Sequence, residues 1–373
     1  MDFNLTDEQQ MLRDAVRRFA TEHYTFEARR AVLESTDAFS RQHWSSYADL
    51  GWLAIGLPED VGGLGCSFVE TSLVMEEFGR VLSMEPYATA AILCARIVDA
   101  SGNAAQRAAL LPALAEGKLL MALAHTEIGA RYNLATVEGT SARVDGNGYV
   151  LDGVKTLAFD APSADQFIVS ARLGEGFALF LVPRVTDGVS VNAYPLIDGS
   201  RAADIEFKSV RLPGSALLVD PSQALDVLEE AVDRTVLAQV AEALGAMEAV
   251  LEITNAYIKQ RVQFGQPIGK FQALQHRMAE MFVEVQETRS ILYRGLALLD
   301  APASERKRAV SAAKVVASNA GRFVGAQGIQ LHGGIGMTDE YAVGHYYKKL
   351  IAFEKRFGDT EFHVARYLHN EAR

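Results

Sequence analysis

The chain reads as an α+β protein: a helical N-terminal part, a middle block of short strands and a helical C-terminal bundle. Three observations carry that reading. The first hundred or so residues repeat their apolar positions with helical spacing. The next hundred are short β-branched and aromatic runs separated by Gly, Asp, Asn or Pro. Long stretches rich in Ala, Leu, Val, Glu and Arg then return. The expected domains are 1–117, all α; 118–220, an antiparallel β sandwich or barrel; and 221–373, an up-and-down four-helix bundle.

Composition supports a large folded core. Of 373 residues 49% are hydrophobic and 22% charged, which excludes a disordered chain. Thirty-six basic against 47 acidic residues leave a net charge of −11, with no basic tract, so nucleic acid is not an expected partner. Cys66 and Cys94 are too few for a disulfide framework or a metal site, and read as small buried apolar residues. The start, "MDFNLTDEQQ", is polar and acidic rather than a signal peptide. No apolar run reaches the roughly 20 residues of a membrane span, and a reduced cytoplasmic location is expected.

Taken in order, "TDEQ" offers a capping box from Thr6 to Gln9, followed by Leu12, Ala15, Val16 and Phe19 on one helical face. "SLVMEEFGRVL" and "AAQRAALLPALAEG" continue the helical pattern. The "PEDVGGLG" segment between the early helices is a turn needing positive φ, since no strand or P-loop Lys accompanies its glycines. Strands are expected in "LLMALAHTE", "YVLDGVKTLAF", "QFIVSARL", "FALFLVP", "VSVNAYPL" and "ADIEFKSVRL". Helices are expected near 224–260, 270–300, 304–330 and 338–350.

Two helix connections carry more chemistry than a turn needs. "RVQFGQPIGKFQ", residues 261–272, contains a cation, two aromatics and a Pro–Gly kink. "QGIQLHGGIGMTDEY", residues 327–341, breaks a helix with Gly333, Gly334 and Gly336, and Thr338 is the expected N-cap of the next. Glycines permit close backbone approach, and N–H groups at a helix start suit an anion. Taken alone, each connection also reads as a tight turn.

Together, in a chain ordered α, β, α, they resemble the acyl-CoA dehydrogenase family over essentially the full length. "DRTVLAQVAEALGAMEAVLEIT", "IGKFQALQHRMAEM", "GGIGMTDEYAVGHYYKKL" and "FGDTEFH" are most similar to heteromeric members, such as the small subunit of pimeloyl-CoA dehydrogenase and related steroid-degradation enzymes. The resemblance implies FAD as cofactor. Arg261 would meet its pyrophosphate, Phe264 would pack along it, and Gln272 would bond to its adenosine half. Gln330 and Gly334 would meet the same FAD across a subunit boundary. It further implies an acyl-CoA substrate, a tetramer with a homologous subunit or with itself, and an electron-transfer flavoprotein as acceptor.

The chain also departs from the family. The usual glutamate base before Gly–Thr falls on Phe357, followed by Gly358 and Asp359. A second family location for the base falls on Thr235. Asp233 is the tentative base, although two residues away on a helix is about 200° of rotation. Its alternative reading is an acid complementing a helix dipole. Glu242 shares Thr235's face but lies roughly 10 Å further along. Asp359 is a second candidate if the terminal loop shifts, with a loop turn or an adenine-side contact as its alternatives. Thr-Glu-Pro with a Gly–Ser pair becomes Thr126-Glu127-Ile128 with Gly129-Ala130-Arg131-Tyr132-Asn133. Leu157 and Phe159 stand where a tryptophan and a threonine normally line the flavin ring. The phosphate-and-adenine half is therefore retained and the ring half altered, as in a chain that completes a partner's FAD site. A non-catalytic interaction subunit and a flavin oxidase of the same family remain alternatives. His332 and His345 read as helix-terminus or packing residues.

Overall fold

Helices, strands and helices follow one another in the computed structural model, which describes residues 4–370 except residue 102. The helices are α1 (Asp7–His23), α2 (Phe26–Leu33), α3 (Arg41–Asp49), α4 (Phe68–Val81), α5 (Ala95–Ala100), α6 (Ala104–Ala115), α7 (Ala224–Gln260), α8 (Gln272–Ala297), α9 (Ala303–His332), α10 (Ala342–Lys355) and α11 (Thr360–His369). The strands are β1 (Met121–Ala124), β2 (Ser141–Asp145), β3 (Gly148–Phe159), β4 (Gln166–Leu173), β5 (Gly176–Pro183), β6 (Val189–Pro195), β7 (Arg201–Pro213), β8 (Leu217–Val219), β9 (Val262–Gln263) and β10 (Gln266–Pro267). The chain divides into two compact units.

One unit takes the chain up to Ala31, Phe68–Ser83 and everything from Val236 onward. Its first helix starts with the expected capping box: Thr6 Oγ1 accepts from the Gln9 N–H at 3.2 Å, and Gln9 Oε1 from the Thr6 N–H at 3.0 Å. Val16 and Ala20, one turn apart, are its buried residues, whereas Ala15 is exposed. Helices α4 and α7 touch backbone to backbone. A Cβ on Gly79 would lie 1.8 Å from the Glu242 carbonyl oxygen, and one on Gly245 1.8 Å from that of Glu76. Around this crossing Arg80 pairs with Glu248 at 2.8 Å and Glu252 at 2.6 Å, while Arg289 pairs with Glu76 and Glu248. Burial pushes the Glu76 carboxyl up, and Arg289 opposes that rise.

The bundle has a fifth helix that the periodicity does not announce. Asp359 caps α11, accepting from the Phe362 N–H at 3.0 Å, which gives that residue the loop-turn role. The next difference concerns Thr338. It is not an N-cap: its hydroxyl donates back to the Ile335 carbonyl at 3.0 Å and it ends a short 3-10 turn, Gly333–Met337. Tyr341 is the N-cap of α10 instead.

The other unit comprises Val32–Ser67 and Met84–Thr235. Its glycine-rich segment is the expected turn, with Gly62 at φ +83 and Gly65 at φ +60; a Cβ on Gly63 would strike the Leu57 carbonyl oxygen at 2.0 Å. A π-helical stretch, Tyr87–Cys94, leads into α5. Cys94 is buried as expected, whereas Cys66 is exposed. Eight strands form one sheet in the order β6-β7-β3-β2-β4-β5-β8, with β1 beside β4. The sheet is mixed rather than purely antiparallel, because β1 and β2 both run parallel to β4. Phe167, Phe180 and Phe207 fill its core with Leu151, Ile205 and Val182.

Candidate functional site

The connection after α7 is a miniature hairpin. Gln263 pairs with Gln266 and Val262 with Pro267, so Phe264 and Gly265 form a two-residue turn, at φ +52 and +78. Such turns normally take Asn–Gly, because an L side chain is strained at positive φ. Phe264 is also 91% exposed, its ring meeting only the edge of Phe271 at 6.1 Å among the described residues. A strained, solvent-facing aromatic gains nothing inside its own unit, and such strain collects at functional positions. The backbone N–H of Ile268 closes back on the Arg261 carbonyl at 2.8 Å. The Arg261 guanidinium is exposed and makes no hydrogen bond or ion pair among the described residues; the Gln272 side chain is exposed at the start of α8.

The second connection sits in the same unit. Gly333, at φ +65, and Gly334 are exposed, with nothing within 4 Å of an added Cβ on either. Gln330 is exposed on the last turn of α9. His332, by contrast, is buried between two tyrosines. Its ring centroid is 4.4 Å from that of Tyr257 and 5.0 Å from that of Tyr341. Its Nδ1 lies 2.7 Å from the Gly328 carbonyl, so Nδ1 carries the proton and Nε2 is left buried without a partner among the described residues. His345 closes the other end of the bend: its Nε2 donates to the Asp339 carbonyl at 3.0 Å and its Nδ1 faces Arg29 Nη1 at 3.0 Å. Both histidines thus have the helix-terminus and packing roles expected of them.

The segments where a catalytic acid is expected are occupied as follows. Phe357 has φ +55 and lies between α10 and α11. Its carbonyl faces His363 Nε2 at 3.2 Å, and Lys314, fully buried, donates to the Phe353 and Arg356 carbonyls just before it. Asp233 and Thr235 both lie within the unbroken α7 and are both fully or nearly fully buried. The Thr235 hydroxyl donates to the Ala231 carbonyl at 2.8 Å. Glu242 is committed to Lys349 at 2.8 Å. Sequence reading passed over Gln239, one turn after Thr235, whose Oε1 is buried without a hydrogen bond among the described residues. A polar residue inside an apolar helical stripe was the available signal.

In the sheet unit, Lys155 is fully buried and donates to Glu127 Oε1 at 2.7 Å, the His125 carbonyl at 3.1 Å and Ser170 Oγ at 2.9 Å. Glu127 also accepts from the N–H groups of Glu138, Gly139 and Thr140, at 2.8, 2.7 and 2.9 Å. Burial alone would raise the Glu127 carboxyl; Lys155 and those amides instead hold it at about 2. Burial, reinforced by the Lys155 charge, holds His125 at about 3. The cluster is a lock rather than a proton shuttle. It fixes the ends of the 126–139 loop, from which Ile128 projects 90% exposed. Leu157 is at φ +52, with its N–H pointing to Tyr194 and Asp204 at 3.2 Å. Among the described residues no group of His, Cys, Asp and Glu is arranged to hold a metal, and no helix is long and apolar enough to cross a membrane.

A helical start, a mixed sheet and a bundle with two exposed, chemically rich connections define an α+β protein of three successive parts. The N-terminal, middle and C-terminal domain descriptions of acyl-CoA dehydrogenases match residues 6–118, 122–210 and 225–368 in that order. A probable acyl-CoA dehydrogenase of Bacillus subtilis, YngJ, is 31% identical over 99% of this chain and 100% of its own. The chain belongs to the acyl-CoA dehydrogenase family. Two solved structures are similar over almost all of both chains. The Tcur3481–Tcur3483 steroid ACAD has 28% identity and a TM-score of 0.88, covering 98% of this chain and 97% of its own. The ChsE4–ChsE5 complex from Mycobacterium tuberculosis has 26% identity and a TM-score of 0.91, covering 100% of each.

Proposed function

We propose that this chain is one subunit of a hetero-oligomeric, FAD-dependent acyl-CoA dehydrogenase that desaturates an acyl-CoA thioester between its α and β carbons. The observation that carries the reading is Arg261, exposed and unpartnered among the described residues, beside Phe264, exposed in a left-handed conformation. The residues fit the cofactor's chemistry. A guanidinium suits a pyrophosphate, two exposed amides at Gln272 and Gln330 suit hydroxyls and ring nitrogens, and Gly333–Gly334 leave the space a dinucleotide backbone needs. FAD, when bound, supplies the hydride acceptor for the β carbon. What the protein supplies is position, exclusion of water and a base for the α proton.

That base is missing from its two family places, which hold Phe357 and Thr235. The reading therefore gives the chain the grip on phosphate and adenosine, and gives a homologous partner the reactive half, base included. Among the structural neighbours, one is described as a two-name complex and one as a steroid ACAD. They support a heteromeric assembly of the pimeloyl-CoA dehydrogenase small-subunit kind. An electron-transfer flavoprotein is the proposed acceptor.

Purifying the chain with and without a co-expressed homologue tests this. A colourless chain that becomes yellow and reduces flavin with acyl-CoA only alongside the homologue is the expected result. A yellow chain that bleaches alone overturns it, and favours a homotetramer. One feature supports that second reading: Asp233 is a fully buried carboxylate close to the second family location. In a homotetramer Asp233→Asn would then reduce kcat by at least about a hundredfold, the usual contribution of a general base; an unchanged kcat removes Asp233 from the mechanism.

A further inference from the structure

We propose that the stack of Tyr257, His332 and Tyr341 is a positioning cluster that aligns the Arg261 hairpin and the Gly333–Gly334 bend into one grip for a dinucleotide phosphate. The proposal rests on the FAD reading above and adds how two separate connections come to meet one ligand. Tyr257 is one turn before Arg261, whose backbone N–H donates to the Tyr257 carbonyl at 2.9 Å. Across the stack, the Tyr257 hydroxyl donates to the His332 carbonyl at 3.3 Å, immediately before Gly333. The Tyr257 and His332 rings lie 4.4 Å apart and are tilted by only 31°. Tyr341, packed on both, is the residue from which α10 begins, so the bend is tied at its entry and its exit.

Each tie has a reason that plain packing does not provide. Gly333 and Gly334 have open space around them, so no side-chain packing at those residues fixes the bend's direction, and the Gly333 N–H is tied only to the carbonyls of Ile329 and Gln330 at the end of α9. The hairpin likewise projects from its unit, with only two paired positions per strand. Left to themselves, both would wander by more than the fraction of an ångström that a preorganised site tolerates. The stack removes that freedom. It also explains a costly choice at residue 332. A buried imidazole with Nε2 unpartnered costs about 1–3 kcal/mol, which a phenylalanine in the same space would avoid. What the imidazole adds is the Nδ1–H bond to Gly328 at 2.7 Å, which locks its ring plane against the end of α9.

The test is FAD affinity of the full-length apoprotein, with its homologue if one is needed, followed by flavin fluorescence. Amide exchange is measured in parallel at Val262–Gln266 and Gly333–Gly336. Tyr257→Ala is expected to weaken FAD by at least about tenfold, about 1.4 kcal/mol, and to speed exchange at both connections. Tyr257→Phe, which keeps the ring, is expected to restore most of the affinity. Affinity unchanged in Tyr257→Ala, or exchange faster at only one connection, overturns the proposal. If Tyr257→Ala fails to fold, Tyr341→Leu and His332→Phe carry the same test with the same criteria. Failure of the wild-type assembly to bind FAD would sink the functional reading itself; FAD binding that ignores the stack would sink only this inference.

Discussion

On the reading proposed above, Phe264 serves a ligand at the expense of its own fold, being 91% exposed at φ +52. A non-glycine residue in the left-handed region costs about 1–2 kcal/mol, less for asparagine. Phe264→Asn is therefore expected to stabilise the isolated chain by up to about 1 kcal/mol in urea titration while lowering FAD affinity. Lys155 makes the opposite case, since it serves the fold alone. Lys155→Met leaves Glu127 buried without its cation, and breaking such a pair costs about 3–5 kcal/mol; the urea midpoint is expected to fall accordingly. At Phe357, Phe357→Glu returns a carboxylate to the family location but leaves Leu157 and Phe159 in place, so the chain alone is expected to stay colourless and to show no acyl-CoA-dependent flavin reduction. Residues of this kind were unequally legible. Arg261 and Phe264 stood out because a helix connection needs neither. Lys155 did not, because a lysine in "GVKTLAF" reads as the solvent side of an alternating strand; only the pairing of β3 with β7 and the side-chain bond across to Ser170 on β4 show it buried.

At the scale of elements, two glycines predict opposite outcomes. Alanine gains about 1 kcal/mol of helix propensity over glycine. At Gly245 that gain is outweighed, because the new Cβ would sit 1.8 Å from the Glu76 carbonyl and force α4 off α7. Gly245→Ala is expected to cost at least about 1–3 kcal/mol, read as a lower Tm. Gly334→Val meets open space, so the apoprotein's Tm is expected to stay within about 2 °C while FAD affinity falls. The long helices were readable because nothing interrupts them: the bounds 224–260 are those of α7. Strand β2 was not, since "SARVD" buries only Ala142 and offers no alternation, and β8 is three residues long. The parallel partnership of β1 with β4 joins segments more than 40 residues apart, which no local pattern announces. Helix α11 was hidden behind the Gly358–Asp359 break, where a cap looks the same as a loop.

For the molecule as a whole, the histidines set the response to acid. Burial lowers His332 and His345, and burial with neighbouring positive charge holds His125 and His363 at about 3. In the unfolded chain each titrates near 6.5. Below that value the unfolded state binds more protons, so this stability is fully present above about pH 6.5 and is lost progressively as pH falls toward 3. Glu127, depressed to about 2, adds a further loss below about pH 4.5. Thermal unfolding at about pH 5 is expected at a lower Tm than at about pH 7.5; an equal or higher Tm would contradict the burial of these rings. The exposed Phe264 ring has a last consequence for how the chain is made. On the reading proposed above that ring is covered only within an assembly, so the chain made alone is expected to stay in solution yet to self-associate more with rising concentration than its Phe264→Asn variant, as read by sedimentation.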